Sequence, residues 1–185
     1  MAFHLNGQPF THETLKQFSA QQLESKLPQW EHDVHAFIAE WLNDEPEITV
    51  HTSGSTGRPK AIKLKKQQVC NSALMTAQYL GLEPGSTVLL SLSANYIAGK
   101  MMIVRAIENG WYLWAVEPSN NPLEGFDSQI ALQLVAWVPS QLKAMLDKKD
   151  ATLTARIQAI ENIILGGSPV LPKLAEKLKT FPNRV

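Results

Sequence analysis

A single cysteine among 185 residues, Cys70, leaves nothing for an internal disulfide to join and excludes a cysteine-only metal cage. Charge is equally sparing in sign: 17 basic and 17 acidic side chains cancel. That balance excludes a nucleic-acid binder whose affinity comes from neutralising phosphates. No apolar run approaches the roughly 20 residues that cross a bilayer, so no membrane span is expected. The opening residues, MAFHLNGQPF, have neither the basic region nor the apolar stretch of a signal peptide. His4, His12, His32 and His35 have no companion acids or cysteines at ligand spacing, and the pair His32 and His35, three apart on one helix, lacks further ligands. A zinc site is therefore not expected. What remains is 44% apolar and 18% charged, ordinary for a globular chain. The length suits one domain with a real core. The expectation is a soluble, cytoplasmic α/β protein.

Periodicity divides the chain. Two helices come first, and the second, about 29–43, sets Trp30, Val34, Phe37, Ile38, Trp41 and Leu42 on one face. Asn43 to Pro46 break it. Glu47 to His51 reads as a short β-branched strand, 52–60 as a polar glycine-containing loop, and Ala61 to Leu64 as a second strand. Residues 66–80 form a helix with Val69, Ala73, Ala77 and Leu80 inward and Gly81 past its end. Cys70 is expected to pack on that helix, and His51 to be a satisfied strand-end histidine. Beyond it, apolar strands at 87–92, 111–116, 133–138 and 162–165 alternate with helices at 96–109, 139–148 and 171–180. Such alternation predicts βαβ units and a mostly parallel sheet flanked by helices. The stretch 117–127 is the longest loop and a candidate for mobility.

The chemistry concentrates in residues 51–64. Thr52, Ser53, Gly54, Ser55, Thr56 and Gly57 supply four hydroxyls and two glycines in six positions, and Lys60 adds a cation. Glycine lets the backbone approach a ligand closely, and consecutive backbone N–H groups make an anion-binding concavity. The mixture suits a polyphosphate. It is not a Walker A loop, because Gly57 is followed by Arg58, Pro59, Lys60 and Ala61 rather than Lys and a hydroxyl residue. A Walker A loop also opens a helix, whereas Pro59 disfavours helical geometry at Arg58. The loop therefore joins two strands. Of the neighbouring lysines, Lys63 and Lys65 fall on one solvated strand face.

Thr-Ser-Gly-Ser-Thr-Gly-Arg-Pro-Lys resembles the phosphate-binding loop of the adenylate-forming superfamily, which comprises acyl- and aryl-CoA synthetases, luciferases and peptide-synthetase adenylation domains. Ile163 to Val170 (IILGGSPV) resembles that family's strand and turn beside the adenine. Leu92 to Gly99 (LSANYIAG) resembles its segment beside the acyl pocket, and Val138 to Leu142 (VPSQL) its later valine-proline segment. The resemblance covers about residues 47–182. Within the superfamily, the short region before the loop and the run SANYIAGKMMIVRAIENG, residues 93–110, resemble the o-succinylbenzoate–CoA ligases of menaquinone biosynthesis.

The resemblance implies an acid–thiol ligase with two half-reactions. A carboxylate attacks the α-phosphate of ATP, releasing pyrophosphate, and the thiol of coenzyme A then displaces AMP. Thr52, Ser53, Gly54, Ser55, Thr56, Gly57 and Lys60 would cradle the phosphates. Gly166, Gly167, Ser168 and Pro169 would line the adenine. Tyr96 and Gly99 would border the acid, Tyr96 standing where the family usually carries a histidine. Lys100 and Arg105 are further candidates for carboxylate binding, Arg through bidentate bonds. Their five-residue spacing sets them roughly 140° apart on a helix, so they cannot share one small pocket. Surface solvation is the plainer expectation for both.

The family continues to a Tyr-Gly-x-Thr-Glu segment whose acid helps hold magnesium (Mg2+), then to a ribose-binding aspartate, a hinge and a C-terminal domain with the catalytic lysine. None of these stands in the 185 residues. The expected organisation is an N-terminal helical segment, 1–46, followed by a partial ATP-binding α/β domain, 47–185. No catalytic or metal-binding residue is expected within it, and alone it should be inactive. Expected partners are a small carboxylic acid, ATP and coenzyme A, with no nucleic acid. An unfinished sheet would invite self-association into a homo-oligomer. Two other readings stay open: a synthetase for another aryl or acyl acid, and a short non-catalytic nucleotide-binding module.

Overall fold

The computed structural model describes residues 2–52 and 60–185. The chain opens with β1 (Phe3–Leu5) and β2 (Gln8–Phe10), then α1 (His12–Leu23) and α2 (Gln29–Trp41). A pair follows, β3 (Glu47–Thr52) and β4 (Lys60–Lys65), leading into α3 (Lys66–Leu80). The remainder is β5 (Thr87–Leu90), α4 (Ile97–Asn109), β6 (Tyr112–Ala115), β7 (Leu134–Trp137), α5 (Pro139–Asp147), α6 (Ala151–Gln158), β8 (Asn162–Leu165) and α7 (Pro172–Leu178).

The strands form a six-stranded sheet in the order β2-β1-β6-β5-β7-β8, with β3 and β4 a separate two-stranded unit. β1 pairs antiparallel with β2, whereas β1–β6, β6–β5, β5–β7 and β7–β8 are all parallel. The mostly parallel, helix-flanked architecture is the expected one. Its cause lies in the strands: all four residues of β7 are buried, as a strand covered on both faces requires. Alternation then sorts the core into two. Val88, Leu90, Leu113, Leu134 and Ala136 face a cluster shared with α1 to α4. Leu89, Val135, Trp137 and Ile163 face another, shared with α5, α6 and α7.

The segment 1–46, expected as helical, begins instead with strands that join the main sheet. Asn6 and Gly7 take φ of 49° and 84°, the left-handed pair that a tight hairpin turn needs. They bring Phe3 and Leu5 opposite Phe10 and Gln8. Phe3, Leu5 and Phe10 are all buried. A second addition is α6, whose first turn is closed by Asp150 accepting from the Leu153 amide at 3.0 Å.

The loop 117–127 is tied down rather than loose. Arg156 on α6 donates to the carbonyls of Leu123, Phe126 and Asp127 at 2.8–2.9 Å, and its guanidinium lies 5.4 Å from the centre of the Phe126 ring. Leu123 and Phe126 are buried beneath it. Next to β8, the Ile163 amide donates to the Arg184 carbonyl at 2.8 Å, so the last residues run along the start of that edge strand. No helix among the described residues is long and apolar enough to cross a membrane.

Candidate functional site

Parallel strands deliver their following loops to one edge of the sheet. Here that edge gathers Ser91 to Tyr96 after β5, Val138 and Pro139 after β7, and Gly166 to Pro169 after β8. The chain leaves β5 for β6 on one side and later places β7 on the other, so the strand order reverses at β5. Open α/β sheets bind ligands in the crevice outside the carboxyl ends at such a reversal.

One side chain organises this edge. Gln141, buried on α5, donates to the carbonyls of Ser91 at 3.2 Å and Ser119 at 2.8 Å, and accepts from the Val138 amide at 3.1 Å. It thereby joins the loop after β5, the loop after β6 and the start of its own helix. Beside it, Trp137 Nε1 donates to Ser91 Oγ at 3.1 Å. The Gly166 amide donates to the Trp137 carbonyl at 3.2 Å. Gly167 has φ +80°, the left-handed backbone that favours glycine, and a Cβ there would lie a tight 3.2 Å from Val138 Cγ1. The Gly166–Pro169 turn is itself exposed. From Ser168, Pro169, Pro139 and Ser140 a cleft of about 930 Å³ runs between α5 and α7 over Leu146 and Leu174.

The polyphosphate-binding candidates hang from the β3–β4 hairpin. Thr52 pairs with Lys60 in the antiparallel register, closing the hairpin immediately around the glycine-rich loop. Ser53, Gly54, Ser55, Thr56 and Gly57 lie outside the described residues, and of Thr52 and Lys60 the backbone pairing alone is described. The loop thus joins two strands, as Pro59 led us to expect. Lys63 and Lys65 are exposed on β4, as read from the sequence, Lys63 beside Glu47 at 3.7 Å.

The acyl-side candidates separate. Tyr96 precedes α4 and is 58% exposed. Gly99, in the first turn, packs against the preceding loop: a Cβ would overlap the Ser93 carbonyl oxygen and lie 2.9 Å from that of Leu92. Lys100 and Arg105 are not solvated as expected. Lys100 is only 8% exposed. Its ammonium donates to Glu40 Oε2 at 3.0 Å and to the Thr49 carbonyl at 2.9 Å, and sits 4.5 Å from the centre of the Phe37 ring. Arg105 is half-buried, its Nε without a partner among the described residues and its Nη1 3.8 Å from Met102 Sδ, and burial pushes its pKa down. Among the described residues the two share no hydrogen-bond partner, in keeping with their angular separation on the helix.

Cys70 is half-buried with its thiol donating to Glu108 Oε2 at 3.3 Å. Burial, and then the Glu108 carboxylate, push its pKa up to about 11, the reverse of a reactive thiol. His35 is buried against Ser19 Oγ at 3.2 Å, and burial followed by nearby His32 holds its pKa below the ordinary value. Among the described residues no three His, Cys, Asp or Glu side chains converge as a metal site. Glu40 carried no sequence signal, and Gln141 stood within the VPSQL segment without a role of its own; only the tertiary fold gives them their partners.

A model of the family described as AMP-binding enzyme matches residues 6–185. A solved structure from Dyadobacter fermentans, an acyl-CoA synthetase (AMP-forming)/AMP-acid ligase II-like protein, is 36% identical with a TM-score of 0.78 over 91% of this chain and 47% of its own. The 2-succinylbenzoate–CoA ligase of Staphylococcus epidermidis is 31% identical over 133 residues, 70% of this chain and 27% of that protein. Fumosorinone synthetase of Cordyceps fumosorosea is 29% identical over 145 residues, 76% of this chain and 4% of the synthetase. The chain spans less than half the length of each of these proteins.

Proposed function

The chain belongs to the AMP-binding enzyme family, and we propose that it is the ATP-binding part of a ligase that activates a carboxylic acid as its acyl-adenylate and passes it to coenzyme A. The carrying observation is the hairpin that closes at Thr52 and Lys60 around a loop of hydroxyls and glycines. In this reading Thr52, Ser53, Ser55, Thr56 and Lys60 hold the β- and γ-phosphates, and Gly54 and Gly57 allow the backbone to come close. Their contribution is to position ATP and to neutralise the departing pyrophosphate. Gly166 to Pro169, held against Val138, border the adenine. Tyr96 borders the acid. No residue of the chain is put forward for the catalytic lysine.

For the acid we propose o-succinylbenzoate, supported by the 31% identity to the staphylococcal ligase and by residues 93–110. The similarity to the Dyadobacter protein favours a second reading, an acyl-CoA synthetase for a different acid. Acid-dependent exchange of labelled pyrophosphate into ATP by the native protein separates them. Exchange raised by o-succinylbenzoate, but not by benzoate, a fatty acid or amino acids, supports the first. Exchange raised by another acid alone supports the second. ATP binding with no exchange for any acid leaves a non-catalytic nucleotide-binding module.

A further inference from the structure

Lys100 entered as a candidate for the substrate carboxylate, yet its donors are directed elsewhere. Thr49 lies on β3 three residues before Thr52, where the glycine-rich loop begins. In an antiparallel pair, alternate residues turn both N–H and C=O away from the partner strand. Thr49 is such a residue, and side chains meet both groups. Its amide donates to Glu40 Oε1 at 2.9 Å, and its carbonyl accepts from Lys100 Nζ at 2.9 Å. Glu40 and Lys100 are joined in turn at 3.0 Å. The three form a closed ring of polar contacts, with the Phe37 ring against the ammonium. Two side chains thus replace the third strand that β3 lacks on that side. They fasten β3 to α2 through Glu40 and to the first turn of α4 through Lys100. That turn follows directly on the loop after β5, at the carboxyl edge of the sheet.

We infer that Glu40 and Lys100 are positioning residues for the phosphate loop, holding the strand that enters it in register with the crevice at the carboxyl ends. The role rests on the proposed ATP-binding reading. It removes Lys100 from the candidates for contacting the acid. The ring has a polarity: two acceptor oxygens must stand at 40 and a donor at 100. A charge-reversed pair would keep the ion pair but present the wrong groups to Thr49.

The test compares the unaltered chain with Glu40→Gln, Lys100→Met, Lys100→Arg and the reversed pair Glu40→Lys/Lys100→Glu. Each is titrated with a fluorescent ATP analogue, and amide hydrogen exchange is followed across β3. Lys100→Met and the reversed pair are expected to bind the analogue at least tenfold more weakly, with faster exchange at Thr49 and an unchanged far-ultraviolet spectrum. Lys100→Arg, which retains a charged donor, should stay within a few-fold of the unaltered chain, whereas Glu40→Gln, with one acceptor oxygen where the ring uses two, should weaken binding in the same direction as Lys100→Met. Folded Lys100→Met and reversed-pair chains that bind the analogue normally overturn the positioning role while leaving the ATP reading intact. Recovery of binding by the reversed pair also overturns it, since an ion pair alone would then suffice. An unaltered chain that takes up no analogue sinks the ATP reading, and the positioning role with it.

Discussion

Gly99→Ala sets two effects of opposite sign against each other. Within a helix, replacing glycine by alanine stabilises by about 1 kcal/mol, through backbone entropy alone. At this position the new methyl group would overlap the carbonyl oxygen of Ser93, lie 2.6 Å from its carbonyl carbon and 2.9 Å from the oxygen of Leu92. All three are backbone atoms, so no rotamer change relieves the contact. Either α4 or the loop Leu92–Tyr96 has to retreat. Overpacking of a fixed site costs about 1–3 kcal/mol, and overlap with two consecutive carbonyls belongs at the top of that range. The clash wins, and the expected outcome is a net loss of about 2 kcal/mol. For a domain of this size that is a fall in Tm of about 4–8 °C by scanning calorimetry. Gly81→Ala is the informative control. There φ is +69° and nothing lies within 4 Å of a built Cβ, so the whole penalty is the left-handed backbone, about 1–2 kcal/mol. A Gly99→Ala chain as stable as the unaltered protein, or more so, would refute the close approach of α4 to the loop after β5.

Gln141→Leu keeps the buried volume but abandons the Ser91 and Ser119 carbonyls and the Val138 amide. At about 1 kcal/mol for each abandoned group, a loss of about 3 kcal/mol in urea unfolding is expected, and a loss below about 1 would remove Gln141 from its organising role. Cys70 should resist iodoacetamide at pH 8, where a thiol with a pKa of about 11 is ionised in only about one molecule in a thousand. Because the folded pKa is raised, the thiol's contribution to stability is full below its unfolded value and is lost as pH rises towards 11. Glu108→Gln should speed labelling, and unchanged slow labelling would contradict the assigned contact. His35 has the opposite sign: its folded pKa is depressed, so its contribution is present above the ordinary histidine value and lost as pH falls below it. His35→Gln should flatten the fall in Tm between pH 7 and pH 5, and an unchanged slope would assign that fall to other groups.

The parallel sheet was legible because continuous apolar runs such as Leu134 to Trp137 carry their own length and hydrophobicity, and helices such as α3 carry their period. The hairpin Phe3–Phe10 was not, although Asn6-Gly7 is a strong turn signal. Strands of three residues are too short for alternation to register, and the strand on which β1 docks, β6, lies about a hundred residues away. That a polar, glycine-containing loop joins β3 to β4 was legible from composition. Its anchoring was not: Glu40 stands near the end of a helix, between Ala39 and Trp41, and nothing local distinguishes it from a solvated glutamate. The same holds for Lys100, whose burial is fixed by Thr49 and Phe37 from other elements. Charge–strand contacts of this kind have no sequence period, so they become visible only when the fold brings the elements together.

The most direct test of the account is equilibrium binding of ATP to this chain beside its Lys60→Ala variant, followed by titration calorimetry. Saturable binding that pyrophosphate displaces, weakened at least tenfold by Lys60→Ala in a chain of unchanged fold, is the predicted result. ATP binding that Lys60→Ala leaves untouched, or no binding at all, would contradict the assignment of residues 52–60 as the phosphate loop.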